Sequence, residues 1–220
     1  MKVEKCHSAS IFGIAAHEVE VEAFVKAASF GFAVVGLPDQ SVREARDRVM
    51  AALVPFGINK NSNMEITINL APANLRKEGS HFDLPMAIAI LTASGRLIPG
   101  ADRGSLSDWA LAGEVALSGE LRRLRGILPI ALELRERGVT KLVVPQENAS
   151  EAAALGGIEV YGARSLAEVV EFLQGGREII PARTDLGRLL DAARETIEDF
   201  SDVKGQAFAK RAIEVAVAGG

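Results

Sequence analysis

Phe32-Ala33-Val34-Val35-Gly36-Leu37-Pro38-Asp39 is the stretch on which the fold turns. A short apolar run with β-branched residues predicts a strand, and the Gly, Pro and Asp behind it predict the turn that ends it. A helix comes next. Ser41-Val42-Arg43-Glu44 has capping-box spacing, with Asp39 as the alternative cap. Val42, Ala45, Val49, Ala52 and Leu53 then share one face, while Glu44 and Arg48, and Arg43 and Asp47, sit four apart on the other. Pro55-Phe56-Gly57 predicts where it stops.

Upstream, residues 3–35 are rich in β-formers, and Glu18-Val19-Glu20-Val21-Glu22 alternates as a strand with one wet face does. Downstream, residues 64–70 alternate again. A loop over 71–80 leads to a nearly all-apolar run at 84–93, predicting a buried helix with Pro85 in its first turn. A strand is expected over 109–115, with Gly113 and Gly119 marking a turn. Helices are expected over 130–137, 147–155 and 165–173, interleaved with strands at 141–144 and 158–161. This alternation argues for one α/β domain over 1–174. Residues 175–199, charged and with Pro181 near their start, read as a linker with one short helix. A last helix over 206–218 carries Gln206, Lys210 and Glu214 on one stripe, with Arg211 beside them, and is apolar nearly all round elsewhere. Such a helix needs a partner to bury it, so the chain reads as cut at 220.

The 220 residues are 48% apolar and 25% charged, with a net charge of −4, which is the profile of a soluble globular chain. Length fits one domain with an appendage, or two small ones. Residues 131–200 hold the acidity, with eight basic against thirteen acidic groups. Nucleic-acid binding over the whole surface is thereby disfavoured, because phosphate contact rests on clustered Lys and Arg. Two local clusters remain: Arg76-Lys77, and Arg122, Arg123 and Arg125. The longest apolar run, 86–93, is far short of the ~20 residues a spanning helix needs, and no export signal opens the chain. A lone Cys6 fits a reducing cytoplasm.

No metal-ligand spacing is present. Cys6 and His7 point to opposite faces of a strand, and His17 and His81 lack partners, so structural roles are expected for all of them. Leu75-Arg76-Lys77-Glu78-Gly79-Ser80-His81-Phe82-Asp83 is the best chemical candidate, because a Ser, a His and two carboxylates precede a buried helix. A hydrolase reading makes Ser80 the nucleophile, with His81 or a distant Lys as base. The bland reading makes Asp83 the cap of that helix. Neither the phosphate-cradling G-x-x-x-x-G-K-[ST] nor a G-x-S-x-G elbow occurs.

Several of these stretches converge on one family. Gly36-Leu37-Pro38-Asp39 with Val42-Arg43-Glu44 resembles a motif of the magnesium-chelatase-like AAA+ ATPases. So do Asn69-Leu70-Ala71-Pro72-Ala73, Leu75-Arg76-Lys77-Glu78-Gly79 and Phe82-Asp83-Leu84-Pro85. Ala112-Gly113-Glu114, Arg125-Gly126-Ile127-Leu128-Pro129, Val143-Val144-Pro145 and Glu159-Val160-Tyr161-Gly162 continue the match. Phe200-Ser201-Asp202-Val203-Lys204-Gly205-Gln206, Lys210-Arg211-Ala212 and Ala218-Gly219-Gly220 resemble the entry to the family's ATPase module.

The resemblance implies an α+β fold like domain 2 of ribosomal protein S5, shared with the proteolytic domain of Lon and the C-terminal domain of RadA. It implies no catalytic residue in this chain. The stretch Lys77-Glu78-Gly79-Ser80 corresponds to the one before Lon's nucleophile, whose place falls to His81. Leu128 stands where the Lon lysine does, and a leucine accepts no proton. The expected protein is an ATPase of the family's competence-protein branch, acting on DNA in a branch-migration manner and hexameric through its ATPase module. ATP and Mg²⁺ would be held outside this chain, with Val203 and Gln206 packed near the nucleotide base. Arg76, Lys77, Arg122, Arg123 and Arg125 are the expected phosphate contacts. The alternatives are a motor for Mg²⁺ insertion into a porphyrin, and a pure assembly module. Chelatase motors open directly with the ATPase module, which favours the DNA-linked branch.

Overall fold

The computed structural model describes residues 2–184 and 201–219. They fall into two units, one ending at Thr184 and the other holding 201–219. In the first unit, β1 (Lys2–Phe12) and β2 (Ala15–Lys26) form a long antiparallel hairpin across a two-residue turn. Then come β3 (Gly31–Val35), α1 (Gln40–Leu53), β4 (Glu65–Ala71) and α2 (Asp83–Ala93). The chain continues with β5 (Trp109–Leu111), β6 (Glu114–Val115), β7 (Leu121–Arg122) and α3 (Ile127–Glu136). It ends with β8 (Lys141–Pro145), α4 (Gln146–Ala153), β9 (Glu159–Ala163) and α5 (Leu166–Leu173). Among the described residues the sheet runs β3-β4-β2-β1-β5-β8-β9, antiparallel only at β1–β2 and β2–β4, while β6 and β7 form a separate ribbon.

The architecture is mixed α/β, with parallel pairing dominant. Strand alternation divides two cores. Val19, Val21, Ala23 and Val25 of β2 face one, where α2 is buried on every side beside α1 and α5. Ala9 and Ala16 face the other, under α3 and α4. Beyond those helices the same sheet face carries a polar ladder of Lys5–Glu20, His7–Glu18 and Lys26–Glu65. The wet face expected from 18–22 is this ladder. Trp109 packs edge-on to Phe172 and tilted to Tyr161, and its Nε1 donates to the Arg103 carbonyl.

Local chemistry decides between the two expected caps of α1 and departs from the expectations at three further places. Asp39, not Ser41, caps α1: its Oδ1 accepts from the Val42 N–H at 2.9 Å and from the Ser41 hydroxyl at 2.7 Å. Arg48 does not pair with Glu44, because it turns inward to Asp83. The strand expected over 109–115 splits at Gly113, whose N–H donates to the His81 carbonyl and whose carbonyl accepts from the Leu84 N–H. Those bonds pull the chain out of the sheet. The stretch 175–184, expected as the start of a linker, returns to β9, where the Ala182 N–H donates to the Val160 carbonyl. The rest of that expected linker, 185–199 and its short helix, lies outside the described residues.

In the second unit, α6 (Ala207–Gly219) leaves Phe208, Ile213, Val215 and Val217 exposed. Lys210 Nζ donates to the Val203 carbonyl, and the Lys210 N–H to the Gln206 carbonyl.

Candidate functional site

The ends of β1 and α1, the segment 78–81, and the ribbon β6–β7 surround a cleft of about 710 Å³. Its floor is set by the short turn that enters α2. There the Gly79 N–H donates to the Ser41 hydroxyl, tying this segment to the α1 cap. Ser80 Oγ donates to Glu114 Oε2 at 2.5 Å, and Arg122 reaches Glu114 Oε1 at 3.4 Å. His81 is only 5% exposed, with Nε2 2.8 Å from the Ala9 carbonyl. Burial pushes its pKa down to about 4, so the ring is neutral near pH 7.

Asp83 is not a helix cap. Its carboxylate is fully buried, gripped by Arg48 Nε at 2.7 Å and Nη2 at 2.9 Å, and it accepts the Val115 N–H at 3.2 Å. This fork joins α1, α2 and β6, the strand that carries Glu114. Burial lifts the Asp83 pKa to about 6, while Arg48 and the Val115 N–H pull it back.

One lip of the cleft is basic by construction. Asn148, fully buried, accepts the Leu124 N–H at 2.8 Å and donates to the Leu124 carbonyl at 2.9 Å. With Leu124 turned inward, its neighbours Arg123 and Arg125 stand exposed. Arg122 is shared with Glu114, and Arg123 lies 3.9 Å from Glu151. Arg125 has no carboxylate partner among the described residues. Arg76 does not line this cleft, and it is exposed and paired with Glu78 at 3.0 Å.

Of the expected phosphate contacts, Arg76, Arg122, Arg123 and Arg125 lie at the surface. Lys77 does not. It is fully buried, burial lowers its pKa, and its Nζ donates to the Pro72 carbonyl, so no phosphate can reach it. Its neighbour in the expected cluster, Arg76, points the other way along an extended backbone. Val203 and Gln206 belong to the second unit, Val203 being half-exposed and Gln206 exposed. Leu128 sits on the first turn of α3, 37% exposed. Glu114 and Arg48 carry no chemical signal of their own in the sequence. Only the Ala112-Gly113-Glu114 motif marks one of them. Among the described residues no three His, Cys, Asp or Glu converge as a metal site.

The profile of the family described as subunit ChlI of Mg-chelatase matches residues 19–148. Over its whole length the chain is 37% identical to competence protein ComM of Haemophilus influenzae, covering 42% of that protein.

The chain belongs to the magnesium-chelatase-like family.

Protein YifB of Escherichia coli is 37% identical over the same span, again with 42% of its length covered. A Lon protease of Citrifermentans bemidjiense is 32% identical over 111 residues, half of this chain and 13% of that one. The chain thus spans about two-fifths of the length of its family relatives. No helix among the described residues is long and apolar enough to cross a membrane.

Proposed function

We propose that residues 1–174 form a non-proteolytic accessory domain, of the ribosomal protein S5 domain 2-like fold, in an AAA+ ATPase that remodels DNA. Arg122, Arg123, Arg125 and Arg76 contact phosphates. The observation that carries this reading is the arginine lip: Asn148 fixes the backbone at Leu124 and leaves the flanking guanidiniums exposed beside a cleft. Rigidly displayed cations suit a polyanion, which releases counterions on binding. The likeness to a competence protein supports the same direction.

Two contacts and one residue identity speak against peptide cleavage by a Ser–Lys pair. The Ser80 hydroxyl is committed to Glu114, the Lys77 amine to the Pro72 carbonyl, and Leu128 offers no base. ATP and Mg²⁺ bind in an ATPase module to which Val203 and Gln206 of the second unit add contacts near the nucleotide base, and that module closes the ring of six subunits. The profile's description as a chelatase subunit favours a second reading, a motor for Mg²⁺ insertion.

Fluorescence anisotropy with single-stranded and branched oligonucleotides at low salt separates the two. The DNA reading expects weak binding that Arg122→Ala/Arg125→Ala reduces, with a salt slope flatter by roughly one to two. Flat anisotropy, or binding unchanged in the variant, removes DNA from this domain. Incubation with casein is expected to leave the casein intact, and released peptides would contradict the non-proteolytic reading.

A further inference from the structure

His81 brings a spare polar atom to the cleft. Its Nε2 faces the Ala9 carbonyl, which only accepts, so Nε2 carries the ring's proton and Nδ1 holds a lone pair. Among the described residues no hydrogen bond reaches Nδ1, although the side chain is about nineteen-twentieths buried. Nδ1 lies against Gly79, and a Cβ there would come within 2.8 Å of it. A glycine at 79, with φ of +100°, therefore keeps this lone pair uncovered at the cleft wall. Its neighbours on that floor are acceptors too. Glu114 is a carboxylate, and Ser80 has spent its proton on it. Asp39 faces the same cleft with its Oδ1 held by the α1 cap. Among the described side chains that line the cleft, the cationic donors are Arg123 and Arg125, exposed on its rim.

An acceptor floor under a cationic rim complements one chemistry closely. A single-stranded nucleotide offers phosphate to the rim and, if its base is unpaired, N–H donors to the floor. Cytosine and adenine carry exocyclic amino groups that a pairing partner would otherwise occupy. Thymine puts a carbonyl at that place, where it would meet other lone pairs. We propose that this cleft receives an unpaired, amino-bearing nucleobase, with His81 Nδ1 as its hydrogen-bond acceptor. The proposal rests on the reading that the arginine lip engages DNA, and it narrows the substrate to single strands or flipped bases.

Anisotropy titrations with fluorescein-labelled oligo(dC), oligo(dT), and oligo(dC) dimethylated at N4 test it. The wild-type protein should bind oligo(dC) about tenfold more tightly than the other two. His81→Phe should bind all three alike, and Arg122→Ala/Arg125→Ala should weaken all three by a common factor. Equal binding of the three by the wild-type protein overturns the nucleobase proposal. The DNA reading survives that result if the arginine variant still binds less. No binding to any probe overturns both. Should His81→Phe fail to fold, the wild-type ratio between unmodified and dimethylated oligo(dC) decides alone.

Discussion

Arg48→Ala is expected to destabilise the first unit by about 3–5 kcal/mol, the usual cost of leaving one partner of a buried ion pair alone. Asp83 has no solvent exposure, and without the guanidinium fork its carboxylate keeps only the Val115 N–H at 3.2 Å. Denaturant unfolding followed by the single, buried Trp109 reports the loss. Arg48→Met/Asp83→Leu should regain most of it, because the charge is removed together with its partner. The variant should also recover in mild acid. Burial lifts Asp83 from an ordinary 3.8 to about 6, so folding takes up a proton between those values. The stabilisation from this group is full below pH 4 and is lost as pH rises through 6. Removing Arg48 takes away a cation that favoured ionisation, so the gain on acidification becomes larger in Arg48→Ala than in wild type. His81 works in the opposite sense in both proteins: its pKa is lowered, so its share is lost as pH falls from 6.5 towards 4, and it cancels from the comparison. A loss under 1 kcal/mol in Arg48→Ala, or one that grows in acid, would show that the fork does not hold Asp83.

The elements with strong periodicity are legible in the amino-acid order alone. The run at 84–93 appears as α2, buried on every side, and the alternation at 64–70 appears as β4. These rest on nearest-neighbour patterning, which a sequence displays directly. Partnerships between residues far apart in the chain are not legible in that way. Arg48 and Asp83 are 35 positions apart, and Ser80 and Glu114 are 34 apart. Each side chain has a reasonable local use, as an i,i+4 pair, a cap or a turn, and tertiary contact overrides it. Lys77 shows the same limit from the other side, since adjacency to Arg76 in sequence suggests a surface cluster that an extended backbone separates. The arginine lip is legible as a cluster. Its rigidity is not, because the clamp comes from Asn148, 24 residues beyond Leu124.

Gly36→Ala should be comparably severe, and for a reason that reaches the site. A Cβ at 36 would stand 2.1 Å from the Leu70 carbonyl oxygen and 2.9 Å from its carbon, at a φ of +100° that side chains rarely adopt. Backbone, unlike a flexible side chain, cannot step aside, so strand β3 or β4 must shift. Strain and overpacking together put the cost at roughly 3–5 kcal/mol, a fall in Tm on the order of 10 °C for a unit of this size. Gly119→Ala is the matched control: its φ is +87°, but nothing lies within 4 Å of the added carbon, so it carries strain without a clash. It should cost about 1 kcal/mol. The close approach at Gly36 also positions the turn at residues 37–39. The Leu37 carbonyl accepts the Lys77 N–H and the Asp39 N–H donates to the Lys77 carbonyl, so this turn holds the segment that leads to Gly79 and His81. A Gly36→Ala protein that still folds should therefore lose oligonucleotide affinity as well as stability, whereas Gly119→Ala should keep its affinity. Equal melting temperatures for the two variants would mean that strand packing, rather than this single contact, sets the spacing of β3 and β4.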